Sequence, residues 1–219
     1  MYQLVIYCQV CKAQRTNWTF IAIRVNLKNM EGNESARQTH VLEIALAVFV
    51  RHGFRKTSIE DIAKAAGISR QGIYLHFKNK DEIFSASIQK ALDDHLQAAN
   101  RILDDDRLTL EEKLLKALDE WFGRHVGLLG PEASDLLAQC ERVLGDAVGK
   151  SRSSFQKKLE KVILARSARK TKGADKRAAT IADMLCACGM TWKHSISSRQ
   201  EFLKKMCDAI HLCCRDLSD

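Results

Sequence analysis

The sequence predicts an all-α protein: an N-terminal three-helix unit of helix-turn-helix type, followed by a longer helical part. Three observations predict it. From Ser35 onward, apolar residues recur every three or four positions instead of alternating. The 219 residues include a single Pro and 28% charged residues, a composition that suits packed helices. Helix-start signals sit just ahead of the apolar stripes, as in Ser58 with Asp61 and Asn79 with Glu82.

Residues 1–34 stand apart, because MYQLVIYCQV and NWTFIAIRVNL are short, β-leaning and poor in helix signals. They are expected to be a disordered or loosely attached extension, or an over-extended start whose native initiator is Met30. Cys8 and Cys11 form a lone CxxC there, with no second ligand pair, which is weak ground for zinc or redox chemistry. Residues 35–80 are expected to form the helix-turn-helix domain and residues 81–219 the second helical domain.

The first helix is expected from about Ser35 to His52, with Val41, Ala45 and Phe49 on its buried stripe and Gly53 as its stop. The Ser58 cap opens a second helix that buries Ile59, Ile62, Ala63 and Ala66. Gly67 can take the left-handed conformation that stops it, Ile68 turns inward, and Ser69 caps a third helix reaching about Phe77. Two short helices joined by a tight Gly-containing turn form the motif that presents its second helix to the DNA major groove. Asn79 caps a long helix to about Leu103. Leu110 to Leu129 reads as the next, ended by Gly127, Gly130 and Pro131, and four more are expected at about 132–144, 146–168, 174–195 and 199–215.

Net charge is +8, but its distribution says more. Residues 35–80 carry eight Lys/Arg against three Asp/Glu, whereas residues 81–150 carry eight against fifteen. A basic helix-turn-helix followed by an acidic segment fits a chain that puts one end against phosphates. A second basic block, residues 151–177, lacks interleaved aromatics and reads as a solvated face and loop. No run of 18 apolar residues exists, so no membrane span is expected, and the N-terminus lacks the charge pattern of a signal peptide. The expected location is therefore cytoplasmic, with the eight Cys as reduced thiols rather than a disulfide framework. The absence of a phosphate loop, nucleophile elbow or HExxH helix argues against an enzyme, and no cofactor is implied.

Within the third helix, Arg70, Gln71, Tyr74, Leu75 and His76 are the chemically useful exposed side chains. Arg can fork to guanine O6 and N7 and Gln to adenine N6 and N7, so Arg70 and Gln71 are expected to read bases, with a purely phosphate role for Arg70 as the alternative.

Thr57, Ile62-Ala63, Ala66-Gly67-Ile68-Ser69, Tyr74-x-His76-Phe77 and Lys80, with Ala45, Phe49 and Gly53 upstream, closely resemble the DNA-binding signature of the tetracycline-repressor (TetR) family. The resemblance implies DNA contact along Thr57, Ser58, Ser69, Arg70, Gln71, Gly72, Tyr74, Leu75, His76 and Lys80. It implies that Tyr74 and His76 donate to phosphates, that Leu75 lies against base edges, and that Lys80 with its helix N-terminus meets the DNA backbone. Gly72 departs from the pattern, since a small residue such as Thr is usual there. The resemblance further implies a homodimer joined by the two C-terminal helices and a small-molecule effector in the C-terminal domain.

Trp121, Phe122 and His125, one turn apart, are candidate walls for that effector's cavity, with Met184, Cys188 and Trp192 on a later helix. Plain core is the alternative for such a stripe. Cys207, His211 and Cys214 fall at i, i+4 and i+7 and are candidate ligands for a thiophilic metal, although buried Cys residues need no chemistry. The leading expectation is a homodimeric DNA-binding regulator, a repressor released by a small, mostly apolar molecule. The alternatives are a metal- or thiol-sensing repressor and a helical interaction protein that does not bind DNA.

Overall fold

A computed structural model gives the backbone of residues 34–127, 133–166 and 173–217, with side chains for all of these except 133–137, 141 and 216. The expected extension, with Cys8 and Cys11, lies outside the described residues apart from Glu34, as do Gly130 and Pro131. The chain divides after Thr39, and the second unit, residues 40–219, holds every buried side chain among the described residues.

The described residues hold helices and no strand: α1 (Glu34–His52), α2 (Ile59–Ala66), α3 (Arg70–Tyr74), α4 (Lys80–Leu103), α5 (Leu110–Trp121), α6 (Ala133–Leu144), α7 (Ala147–Arg166), α8 (Ala174–Ser195) and α9 (Arg199–Cys214). Short 3-10 turns follow α5 at Gly123–His125 and α9 at Arg215–Leu217. The N-terminal caps read from the sequence are present. Ser58, Ser69 and Asn79 each accept a hydrogen bond from the backbone N–H three residues on, as do Thr109 and Ser198. Each satisfies a donor that the first helical turn leaves without an internal partner.

Two buried clusters result. One joins α1, α2 and α3 to the start of α4 through Phe49, Ile62, Ile73, Phe77, Ile83 and Phe84. The other fills the space among α4, α5, α7, α8 and α9 with residues such as Leu103, Leu114, Phe122, Phe155, Leu185 and Phe202. At 24 residues, α4 is roughly 36 Å long and contributes to both. It packs along α5 and α7 and touches α6, while α9 lies against α5 and α8.

Two boundaries differ from the sequence reading. The helix expected to reach Phe77 ends at Tyr74, because the chain tightens there. The N–H groups of His76 and Phe77 both donate to the Ile73 carbonyl, at 3.0 Å, and Phe77 turns into the core. The helix expected to run toward Leu129 stops at Trp121 for a tertiary reason. Phe122, only 1% exposed, leaves helical geometry at φ −120°. A Cβ placed on Gly189 would come within 2.4 Å of the Phe122 ring, so only a glycine lets α8 approach so closely. Gly123 is pressed in the same way, with the Phe202 ring 2.7 Å from the position a Cβ would take.

This packing yields a stability prediction. Gly123→Ala must displace both the Phe202 ring and the Asp119 carboxylate, and overpacking of this kind costs about 1–3 kcal/mol. Denaturant unfolding is expected to show a lower midpoint with an unchanged slope, whereas a wild-type midpoint would mean that α9 yields freely at this contact.

Candidate nucleic-acid interface

The helix-turn-helix unit is built from local hydrogen bonds. In α2, Ser58 Oγ accepts from the Asp61 N–H at 3.1 Å, and the Asp61 carboxylate accepts from the Ser58 N–H at 2.9 Å, a reciprocal capping box. The hydrogen bonds from Ser58 hold the Asp61 carboxyl below its usual range. Gly67 closes α2 at φ 69°, where a side chain would be strained. The Gly67 N–H donates to the Lys64 carbonyl and the Ile68 N–H to that of Ala63, the pairing of a Schellman turn. Two residues later Ser69 Oγ accepts from the Gly72 N–H at 3.0 Å and starts α3.

Ile73 is fully buried and faces α3 inward. Arg70 and Gln71 consequently point to solvent, Tyr74 is 45% exposed and Leu75 79% exposed. Ser58 and Ser69 are also exposed, while Gly72 and His76 are half-buried. Arg70 does not extend freely: its guanidinium lies 5.6 Å from the Tyr74 ring centroid and donates to the Tyr74 hydroxyl at 3.4 Å. A Cβ on Gly72 would sit 3.3 Å from Ser69 Oγ, so the glycine keeps the cap of this short helix uncrowded.

Two expected contact residues sit elsewhere. Thr57 is only 2% exposed, and its hydroxyl donates to the Gly53 carbonyl at 2.8 Å. Lys80 is half-buried, with its ammonium directed at the backbone of the α1–α2 loop. Lys80 opens α4, and the Asn79 side chain caps that helix by accepting from the Glu82 N–H. Glu82 reaches one residue further back than a capping box would, accepting from the Lys78 N–H.

The candidate effector residues fall into different surroundings. Trp121 and Phe122 are core, with Trp121 stacked on Phe155 at 5.0 Å between centroids. Cys188 and Trp192 are half-buried against the same cluster, and Met184 is half-exposed on the outer side of α8. His125 joins a polar group that sequence reasoning missed. His95 of α4, 7% exposed, places Nδ1 3.1 Å from Glu120 Oε1 and 3.3 Å from Arg124 Nη1, and Arg124 also pairs with Glu120. Burial opposes the Glu120 charge, but the His95 hydrogen bond and the Arg124 charge outweigh it and hold the carboxyl below its usual range. The Glu120/Arg124 spacing was visible as an i, i+4 pair; His95, 25 residues away, carried no local signal.

The proposed cysteine face does not form a donor set. Cys207 and His211 are exposed, with the His211 imidazole 3.5 Å from the Glu111 carboxylate, while Cys214 is fully buried. Among the described residues no group of three or more His, Cys, Asp or Glu is placed to hold a metal ion.

Residues 41–87, which span the capping box, the Gly67 turn and α3, match the model of bacterial regulatory proteins of the tetR family. Over this segment the chain is similar to the tetR family of bacterial regulatory proteins. It is 45% identical over 58 residues to the transcriptional regulator AcrR of Shigella flexneri, covering 26% of each chain. It is 37% identical over 87 residues to the regulator TtgR of Pseudomonas putida, covering 37% of this chain and 41% of that one. The chain thus spans between a quarter and about two fifths of these curated relatives. Both of these relatives are named as HTH-type transcriptional regulators. The solved structure of a TetR-family regulator from Mesorhizobium loti superposes with a TM-score of 0.66 over 83% of this chain and 96% of that one. At 18% identity this likeness establishes the fold, including the helices beyond the matched segment.

The interior polar group gives a pH prediction. Burial, with the His95, Lys193 and Arg124 charges nearby, pushes the His125 imidazole down to about 3. An unfolded chain protonates it near pH 6.5, so between about pH 6.5 and 3 the unfolded state binds the extra proton and stability falls as pH falls. The slope from this one group is at most about 1.4 kcal/mol per pH unit. His125→Phe removes it, so melting temperatures from pH 7 to pH 5 are expected to fall less steeply in the variant than in the wild type. Parallel slopes would show that the folded protein accommodates the protonated ring.

Proposed function

We propose that this chain is a homodimeric one-component regulator of transcription, a repressor that leaves a palindromic operator when a small, mostly apolar molecule binds its C-terminal helices. Residues 35–80 form the DNA-binding domain of this reading and residues 81–219 the effector and dimerisation domain. The observation that carries it is α3 itself. Buried Ile73 anchors a five-residue helix whose outward residues include Arg70, Gln71 and Tyr74, with Leu75 just beyond its end. Arg70 and Gln71 supply the bidentate donors and acceptors that distinguish base pairs in the major groove. Leu75, almost fully exposed, offers an apolar surface for a thymine methyl. Ser58, Ser69, Gly72, Tyr74 and His76 meet the sugar-phosphate backbone around it, which fixes register without reading sequence.

A single α3 reads only a few base pairs, so a second copy supplies the other half-site, about one helical turn or a multiple away. Met184 on α8 and Leu212 on α9, 50% and 68% exposed, give the two C-terminal helices large apolar side chains for a partner copy. The effector binds beside the inner cluster, with Trp121, Phe122, His125, Cys188 and Trp192 among its walls. Linkage makes the coupling reciprocal: an effector that favours misplaced reading helices is itself bound less tightly on DNA.

Anisotropy over a salt series, with a duplex selected from a random pool and a random duplex as control, tests this reading. Tight binding of the selected duplex, with inverted half-sites in the footprint, is the expected result. Arg70→Ala and Gln71→Ala are each expected to cost about 1–3 kcal/mol on that duplex and to relax preference at one position per half-site. Equal affinity for selected and random DNA would overturn the regulator reading.

A further inference from the structure

We propose that Lys80 is an internal clamp that holds the reading unit closed, a positioning residue for DNA recognition in place of a phosphate contact. The inference rests on the regulator reading for its consequence and on geometry alone for its substance. Lys80 Nζ donates to the Phe54 carbonyl at 2.9 Å and to the Thr57 carbonyl at 2.8 Å. The same ammonium lies 4.3 Å from the centroid of the Phe54 ring. Two of its three protons are thereby committed, and the third side of the charge rests on an aromatic face.

The position of these partners gives the clamp its purpose. Phe54 and Thr57 lie in the loop that leads into α2, and Lys80 opens the helix that follows α3, so one side chain joins the two ends of the segment that contains both helices. The near end is itself fixed. Phe54 is 7% exposed and packs against Phe49 and Phe84, with centroids 5.6 and 5.1 Å away, and the Thr57 hydroxyl is bonded to Gly53. The far end is the first residue of α4, where the helix dipole disfavours a cation. A lysine left to solvent there would gain nothing from its own helix. Turned back onto two carbonyl oxygens, it satisfies acceptors that the loop supplies and ties the start of α4 to the loop that leads into α2.

A clamp and a phosphate contact fail differently. Losing a phosphate contact weakens specific and random DNA alike and lowers the salt slope by about 0.9 for each contact removed. Losing the clamp leaves the phosphate count intact and lets α3 wander, so selectivity falls while the slope stays.

The test uses the full chain with Lys80→Met, which keeps the stem and removes the donors and the charge. Thr57→Val, the second variant, breaks the loop's own bond and leaves every charge in place. Expected for Lys80→Met is a loss of at least tenfold in the ratio of selected to random affinity, with an unchanged slope on random DNA. Amide exchange over Ile73–Phe77 is expected to quicken at least tenfold, with α9 unaffected, and Thr57→Val is expected to shift ratio and exchange in the same direction. A slope lower by about 0.9 per protomer, with the ratio and the exchange at wild-type values, would overturn the clamp. Should the wild type select no duplex, the regulator reading fails by itself. The exchange data still decide the clamp, since unaltered exchange over Ile73–Phe77 in Lys80→Met rejects it. Should Lys80→Met not fold, Lys80→Leu replaces it and is read by the same two outcomes.

Discussion

The helix that carries Arg70, Gln71 and Tyr74 is five residues long, and a helix of that length has no stability of its own in water. Its existence depends on burial at two points, Ile73 within it and Phe77 just beyond it, both in the cluster shared with α1, α2 and the start of α4. At the bottom of that cluster Phe49, Phe54 and Phe84 pack edge-on or stacked at 5.1 to 5.6 Å, joining the end of α1, the following loop and α4 into one body. Everything at the interface inherits its position from there. Arg70 faces solvent because Ile73 does not, and Leu75 is thrust outward because the chain must turn Phe77 inward two residues later.

What was legible in the sequence was what the chain decides locally. Ser58, Ser69 and Asn79 cap their helices with bonds three residues long, and Gly67 stops α2 with bonds to residues 63 and 64, so residue type and spacing carry the information. The stripe of α1 and the length of α4 were legible for the same reason, since helical periodicity reports burial directly. The illegible features all depend on a partner far along the chain. Lys80 looks like a surface lysine at a helix start, and only its meeting with carbonyls 23 and 26 residues earlier turns it inward. Trp121 to His125 continue a helical stripe on paper, but Gly189 and Phe202 press against residues 122 and 123 and the helix gives way to a 3-10 turn. Cys207, His211 and Cys214 share a spacing and not an environment, because neighbouring elements cover only the last of them.

The first turn of α4 is gripped on two sides, and the grips differ in strength. Inward, Lys80 makes two half-buried bonds to backbone and lies on an aromatic ring. Outward, Asp81 pairs with Arg142 and accepts from Gln139 at 3.0 Å, both on α6. The Arg142 and Asp81 side chains are 60% and 48% exposed, and ion pairs so open to water contribute only about 0–1 kcal/mol. Next to them a cleft of roughly 500 Å³, floored by Ala86, Val143 and Ala147, separates α4 from α6 and the start of α7. The polar joint with α6 is therefore the more exposed of the two, though Cys140 and Val143 of α6 also pack against the helix-turn-helix core. A displacement of α4 within the proposed regulator would break the exposed Asp81–Arg142 pair before the inner Lys80 bonds. That is the behaviour the proposed two-headed reader would require, since its operator affinity would be switched by the distance between the heads and lost if either head came apart.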